Sequence, residues 1–280
     1  MKAFAVAQTS NTNPVKFPEH MPLPHLTLMS HAMPDVVERE RRFYNESHGA
    51  YRRYRKAIWR AIGAFNRNSE LRDLYDPREK RVLLYGCGPA NETDELLNAG
   101  AASVAGIDIS DVEILEAQRQ AHDRGYAGRV EFRVADAHET GFPDDSFDLI
   151  VGTAILHHLD LPSVLDEIRR ILTPGGRAVF LEPLAHNPLL RLGRRLTPAA
   201  RTDDEHPFTV QDWQHCADAF SSFSHREVEL ISIPLMPLNL LLPRIWQEAL
   251  ARRVRVLDDQ LLGRYPRLRP LARTTHLVLE

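Results

Sequence analysis

Cysteine is nearly absent. The 280 residues contain two, Cys87 and Cys216. They cannot build the disulfide framework of a small secreted domain or a cysteine-rich zinc site, and the expectation is a cytoplasmic chain. Long apolar runs are missing too. The most apolar stretch, 231-ISIPLMPLNLLLPRIW-246, is interrupted by Pro234, Pro237 and Pro243 and is too short to span a bilayer. It reads first as buried core with a turn, then as the wall of an apolar substrate pocket, and last as a membrane-surface patch. The opening residues, MKAFAVAQTSNTNPVKFPEH, lack a clear signal-peptide apolar region. An excess of positive charge is also missing. The net charge is −3, so the electrostatic footprint of a general nucleic-acid binder is not there. No internal repeat is visible.

What is present is enough apolar content for a sizeable core, 43% of residues, in one or two domains. Residues 1–34 are rich in Pro, His and Thr without a period and read as a flexible or draped arm. Residues 35–78 carry Ile58, Ile62 and Phe65, and Tyr51 and Tyr54, at helical spacing. They form a candidate helical cover closed by Pro77. From 79 onward strands alternate with helices. RVLLYG, 103-SVAGIDI-109, 129-RVEFRV-134, 147-FDLIVGT-153 and 177-RAVFLE-182 are strand-type runs. Helices are expected over Asn91–Ala99, after the Ser110/Glu113 capping box, and over Leu161–Leu172. Pro174-Gly175-Gly176 reads as a turn into the fifth strand. This alternation predicts a parallel sheet with helices on both faces. After an insertion at about 183–222, with a helix from about Thr209 to Ala219, a strand is expected at 225–233. A helix at about 240–262 and a final antiparallel strand at the sheet edge, 274-TTHLVLE-280, complete the order.

The stretch 82-VLLYGCGPANET-93 delivers an apolar strand into Gly86-Cys87-Gly88 and then into helix-starting residues. Glycine permits positive φ and close approach of a ligand to backbone. A dinucleotide fingerprint would place a third Gly at 91, where Asn91 stands, which argues against an NAD(P)-linked reductase. Asp108 ends the second strand at the spacing of an acid that holds ribose hydroxyls; read blandly it is a helix cap. Asp136 ends the third strand and could accept from an exocyclic amine; alone it would be a turn residue. Three ligand-type positions after three consecutive strands fit a site at the carboxyl ends of a parallel sheet.

With these residues the chain resembles the class I S-adenosylmethionine-dependent methyltransferases over about 80–182. VLLYGCGP, GIDIS, ADAHETGFPDDSFDLIV, LHHL and LTPGGRAVFLEP carry the likeness together. The resemblance implies a Rossmann-like seven-stranded α/β sheet with the last strand antiparallel. It implies S-adenosylmethionine as cofactor, with Asp108 on the ribose, Asp136 near the adenine amine, Gly86 and Gly88 flanking the methionine part, and Thr153 and Ala154 on the methyl side. Tyr85, Cys87, Ile109 and Ala137 complete the expected cofactor-binding set. Two departures stand out. Leu84 replaces an acid that usually helps order the cofactor's ammonium end, so a backbone carbonyl or a residue of the N-terminal helices would have to substitute. Ala90 replaces a glycine, which is tolerable if its φ is negative.

Candidate proton acceptors are His157, His158 and His186, since histidine suits proton transfer near neutral pH. His158 also reads as pocket lining and His157 as a solvent-facing residue. His186 lies just past the fifth strand, where acceptor contacts are expected. Tyr44, Tyr51 and Glu182 are candidate substrate contacts; packing and helix capping are their plainer roles. Arg191, Arg194 and Arg195 suit an anionic acceptor or a solvated helix face paired with Asp203–Glu205. No metal is expected, because adjacent histidines point different ways on most backbones. The predicted function is methyl transfer, first to oxygen, on a small and partly apolar secondary metabolite. The partners expected are that acceptor and, as an open possibility, a second copy of the chain. N- or C-methylation is the alternative, as is a cyclase or scaffold that keeps the fold without methyl transfer.

Overall fold

The computed structural model describes residues 36–46, 62–198, 202, 204–236 and 241–280. The expected arm at 1–34, Tyr51, Tyr54, Ile58 and the middle of the 231–246 stretch lie outside the described residues. Seven strands form one sheet: β1 Arg81–Tyr85, β2 Ser103–Asp108, β3 Val130–Val134, β4 Phe147–Thr153, β5 Leu172–Pro183, β6 Phe223–Val228 and β7 Thr274–Leu279. Their order is β3-β2-β1-β4-β5-β7-β6, with β1 to β5 parallel and β7 antiparallel to both neighbours.

The period-2 geometry of a strand explains the apolar run of β1. Leu83 and Tyr85 join one buried cluster, while Val82 and Leu84 join the cluster on the other face. Helices α2 Thr93–Asn98 and α3 Asp111–Asp123 cover the second face, and α4 Leu161–Ile171 and α6 Val210–Ala219 cover the first. Ser110 caps α3, its hydroxyl accepting from the Glu113 N–H at 3.3 Å, and Asp160 caps α4. Residues 36–46 form α1. The remaining helices are α5 Pro188–Leu196, α7 Ser232–Leu235 and α8 Arg244–Arg264.

Four expectations are corrected. The last strand is not at the edge: β7 lies between β5 and β6. Its residues are nearly all buried, whereas β6 alternates exposed and half-buried positions before its two buried end residues, Glu227 and Val228. That gives β6 the more solvated edge. The expected strand at 225–233 stops at Val228 because Glu229 adopts φ 71° and turns the chain into α7. Pro174-Gly175-Gly176 is not a separate turn. It is a bulge within β5, where pairing jumps from Phe147–Leu172 to Leu149–Arg177 with Gly175 at φ 79°. Finally, the apolar stretch is only partly core. Ile231 and Leu235 pack with Phe65, Ala251 and Val254, but Leu241, Ile245 and Trp246 are exposed.

The strand order reverses direction between β1 and β4. Such a switch point opens a crevice at the carboxyl ends of the strands, between the loops that leave them. The loops in question are 86–92 and 154–160.

Candidate functional site

The loop after β1 is shaped by its glycines. Gly86 has φ 66° and Gly88 φ 50°, values that other residues reach at a cost of about 1 kcal/mol or more. A Cβ on Gly86 would also stand 2.6 Å from Ile155 Cγ1, so this glycine lets the β1 and β4 loops meet. Ala90 sits at φ 51°, contrary to the negative φ expected for a residue replacing glycine; its methyl is buried in the core, which offsets the strain.

Asp108 closes the loop from the neighbouring strand. Its Oδ2 accepts the Gly88 N–H at 2.8 Å, and its Oδ1 accepts the Ser110 N–H at 2.9 Å. Burial pushes the Asp108 carboxyl up, and these peptide donors pull against that rise. Each oxygen keeps a further lone pair for a diol. Tyr85 turns away from the crevice. Its ring meets Phe180 edge-on, and its hydroxyl donates to the Ala137 carbonyl, which ties β1 to the turn after β3. The Cys87 thiol faces the core near Gly106, and burial raises its pKa well above the ordinary value. Ile109 is half-buried next to Asp108.

Asp136 is buried. It accepts from the His138 peptide N–H at 2.9 Å, and its Oδ1 lies 2.7 Å from His138 Nδ1. His138 Nε2 in turn accepts the Asp160 N–H at 3.1 Å, so the ring proton sits on Nδ1 and points at Asp136. Sequence reasoning missed His138; its position two residues after a predicted ligand was the available signal.

Across the crevice, Thr153 and Ala154 are exposed at the end of β4, and Ala154 holds φ 56°. Such strain in a non-glycine residue is common where a loop is shaped for function. Glu182, fully buried on β5, organises the loop beyond β4. Its Oε1 accepts the N–H groups of Ile155 and Leu156 at 3.0 and 2.9 Å, and its Oε2 lies 2.6 Å from His157 Nδ1. His157 is therefore buried and oriented rather than solvent-facing. Burial and the adjacent His158 ring push its pKa down, against the pull of Glu182.

The rings of His157 and His158 stand side by side, centroids 4.1 Å apart, contrary to the expectation that they diverge. His158 Nδ1 is 3.4 Å from Glu40 Oε2, and Tyr44 Oη is 3.2 Å from His158 Nε2. Burial alone would lower the His158 pKa, but the contact with Glu40 outweighs it and the pKa is raised.

Glu40 and Tyr44 belong to α1, which lies across the crevice. Arg41 pairs with Asp111 at 2.7 Å, the Ser110 hydroxyl donates to Asn45 at 2.7 Å, and Arg39 pairs with Asp204 at 2.9 Å. Segment 204–208 runs back beside the end of β5, and the His206 N–H donates to the His157 carbonyl at 2.8 Å. Glu205 Oε1 is thereby brought to 3.9 Å from His157 Nε2. The structure thus gathers His157, His158, Tyr44 and Glu182 and adds Glu40 and Glu205, which were not anticipated. It leaves His186 exposed in the loop before α5. Arg194 donates to the Leu184 carbonyl, and Arg191 and Arg195 are exposed.

Comparison with known proteins fits this geometry. Residues 83–180 match the family described as a methyltransferase domain. The chain is 37% identical over 98 residues to the 27-O-demethylrifamycin SV methyltransferase of Amycolatopsis mediterranei, covering 35% of this chain and 36% of the relative. It is 34% identical over 119 residues to a ubiquinone/menaquinone biosynthesis C-methyltransferase of Geobacter sulfurreducens, covering 41% and 46%. The chain thus spans less than half the length of either relative. Among solved structures, the phosphoethanolamine N-methyltransferase 2 of Haemonchus contortus in complex with S-adenosyl-L-methionine superposes with a TM-score of 0.60 at 17% identity. That match covers 85% of this chain and 59% of the other and shows the fold. Among the described residues no helix is long and apolar enough to cross a membrane. The positive-φ glycine loop, the acid tied to it and the matched family together identify residues 83–180 as a class I S-adenosylmethionine-dependent methyltransferase domain.

Proposed function

We propose that the chain transfers the methyl group of S-adenosylmethionine to a hydroxyl oxygen of a small, partly apolar metabolite. One observation carries this reading. A carboxylate-backed histidine pair, with Tyr44 beside it, stands on the loop after β4, at the same end of the sheet as the glycine loop. Those groups can hold a hydroxyl and receive its proton.

In this reading Gly86 and Gly88 allow close backbone approach, Asp108 accepts from the ribose hydroxyls, and Asp136 with its His138 partner faces the adenine side. The bound cofactor supplies an electrophilic methyl on a positively charged sulfur. The chain's own work is alignment of the acceptor with that methyl, an orientation effect. His158 Nε2 takes the hydroxyl proton, Tyr44 positions the hydroxyl, and Glu40 stabilises the charged ring that results. His157 holds the neighbouring ring in place through Glu182. α1 and segment 204–208 keep water from the crevice, which strengthens these interactions. The half-buried Asn45 side chain of α1 accepts from the Ser110 hydroxyl at 2.7 Å, two residues beyond Asp108.

The rifamycin relative, whose name gives a 27-O-demethyl substrate, supports oxygen as the acceptor atom; the ubiquinone/menaquinone relative is named a C-methyltransferase. The test is transfer of a carbon-13 methyl from the cofactor to hydroxylated aromatic and polyketide-like acceptors, with the product's methyl assigned by NMR. A methoxy carbon is expected; a methyl on carbon or nitrogen contradicts the proposal. His158→Ala should lower the rate by about 10²–10⁴-fold, the span of general-base catalysis.

A further inference from the structure

The histidine pair has a feature that a proton acceptor alone does not require. Nitrogen or oxygen ligand atoms of His157, His158 and Glu205 all lie within 4.8 Å of one another. The separation between His157 Nε2 and Glu205 Oε1, 3.9 Å, is too long for a hydrogen bond. It is close to the spacing that two ligands on one cation keep. Donors bound at 2.0–2.2 Å stand about 3–4 Å apart at the usual angles.

The orientation is built rather than incidental. Glu182, fully buried, engages His157 Nδ1 at 2.6 Å, which fixes the tautomer and leaves the Nε2 lone pair directed towards Glu205. A carboxylate behind a histidine whose other nitrogen is free is the outer arrangement found around metal-binding histidines. The backbone next to Glu205 is tied to the same loop, because the His206 N–H donates to the His157 carbonyl at 2.8 Å.

A second, independent observation points the same way. Glu40 is 7% exposed, and neither of its carboxylate oxygens has a hydrogen-bond partner; Oε2 faces His158 Nδ1 at 3.4 Å. Three carboxylates, Glu40, Glu182 and Glu205, therefore surround two imidazoles in a space with little water. A buried carboxylate without hydrogen-bond donors, as Glu40 is, is costly unless a cation lies beside it.

We propose that His157 Nε2, a ring nitrogen of His158 and the Glu205 carboxylate bind a divalent first-row transition cation at the acceptor end of the crevice. Two imidazoles and one carboxylate suit Zn²⁺, Co²⁺ or Fe²⁺ and do not suit Mg²⁺ or Ca²⁺, which take mostly oxygen ligands. Three protein ligands leave a position open. The inference rests on the reading of a hydroxyl acceptor. A hydroxyl bound at the open position loses its proton more readily, as water does on a catalytic metal. The O–H bond breaks, its electron pair stays on oxygen and attacks the methyl carbon, and the carbon–sulfur bond breaks to leave a neutral thioether. The proton goes to Glu40 and on to solvent. With the cation in place His158 holds metal, and the proton-accepting role it has in the metal-free chain passes to Glu40.

The experiment uses the full chain, stripped with chelator and titrated with Co²⁺ while its visible absorption is recorded. The expected result is ligand-field bands that saturate at one Co²⁺ per chain and are removed by Zn²⁺. Glu205→Gln and His157→Ala should each weaken Co²⁺ binding by at least about 10-fold, and Glu182→Gln by about 10–100-fold, the range for loss of an outer partner. Binding of S-adenosylmethionine by Glu205→Gln, measured by calorimetry, should match wild type and shows that the variant is folded. Absence of the bands overturns the proposal, as does Co²⁺ binding undiminished in both Glu205→Gln and His157→Ala. Methyl transfer at the full rate after chelation also overturns it while leaving the O-methylation reading intact. Saturable Co²⁺ binding in a chain that transfers no methyl to any hydroxyl supports the cation site and sinks the O-methylation reading instead.

Discussion

Asp108 Oδ2 accepts the peptide N–H of Gly88 at 2.8 Å. The acid at the end of β2 and the glycine loop after β1 are thus one hydrogen-bonded unit, with the carboxylate's remaining lone pairs available to a ligand. Hydrogen bonds to a charged group contribute roughly 1.5–3 kcal/mol. Asp108→Ala should therefore weaken binding of S-adenosylmethionine by about 10- to 150-fold, since 1.4 kcal/mol is a factor of ten. Calorimetry measures this directly. Undiminished affinity would remove Asp108 from the ribose contact.

Glu182 is the acceptor for two peptide N–H groups and one imidazole inside the core. Truncation to Ala leaves three buried donors unpaired, each costing about 1–3 kcal/mol. Denaturant unfolding of Glu182→Ala should show a loss of at least about 2 kcal/mol at unchanged slope, and Glu182→Gln, which keeps one acceptor oxygen, a smaller loss. A midpoint within error of wild type would contradict the assigned role.

α1 makes two exposed ion pairs, Arg39–Asp204 and Arg41–Asp111, and buries Val37 and Glu40. Pairs of that kind contribute about 0–1 kcal/mol each. The same helix supplies Glu40 and Tyr44 to the histidine pair. Deleting residues 1–45 should lower the methylation rate about 10²-fold or more, with denaturant unfolding used to confirm that the truncated chain still folds. A truncated chain that turns over at the full rate would show that α1 is not part of the site.

Asp258, on α8, gives a pH-dependent test away from the crevice. Its Oδ1 accepts the Ile231 N–H at 2.7 Å, and burial raises its carboxyl to about 6. The folded chain therefore holds this proton over a range where the unfolded chain has lost it. The result is a stability penalty that is absent below the ordinary carboxylate value, grows as pH rises towards 6, and is complete above it. Asp258→Asn keeps the acceptor and removes the charge. Its stability should match wild type near pH 4 and exceed it at pH 7 by up to about 3 kcal/mol, at 1.36 kcal/mol per pH unit. Equal stability at both pH values would contradict the account.

Much of this was legible in the sequence because each signal was local. The apolar run VLLY, the paired glycines, the Ser110 cap and the acids at 108 and 136 each arise from strand period, turn chemistry or capping. What escaped was set by contacts distant in sequence. The position of β7 between β5 and β6 depends on which strand edge is more apolar, and the final strand alone does not encode that. Glu40 and Glu205 reach the histidines from segments some 118 and 48 residues away, so no motif spacing could reveal them. Glu229 ends β6 through a left-handed φ, which a glutamate does not advertise. Ala90 shows the same limit, since its φ is imposed by the loop around it.

The central claim is that the loop from Gly86 to Glu92 holds S-adenosylmethionine despite Leu84 and Ala90. The most direct measurement is calorimetric titration of the wild-type chain with S-adenosylmethionine and with its demethylated product. The account predicts saturable binding of both at one site per chain, weakened in Asp108→Ala. A wild-type chain that binds neither ligand would contradict it.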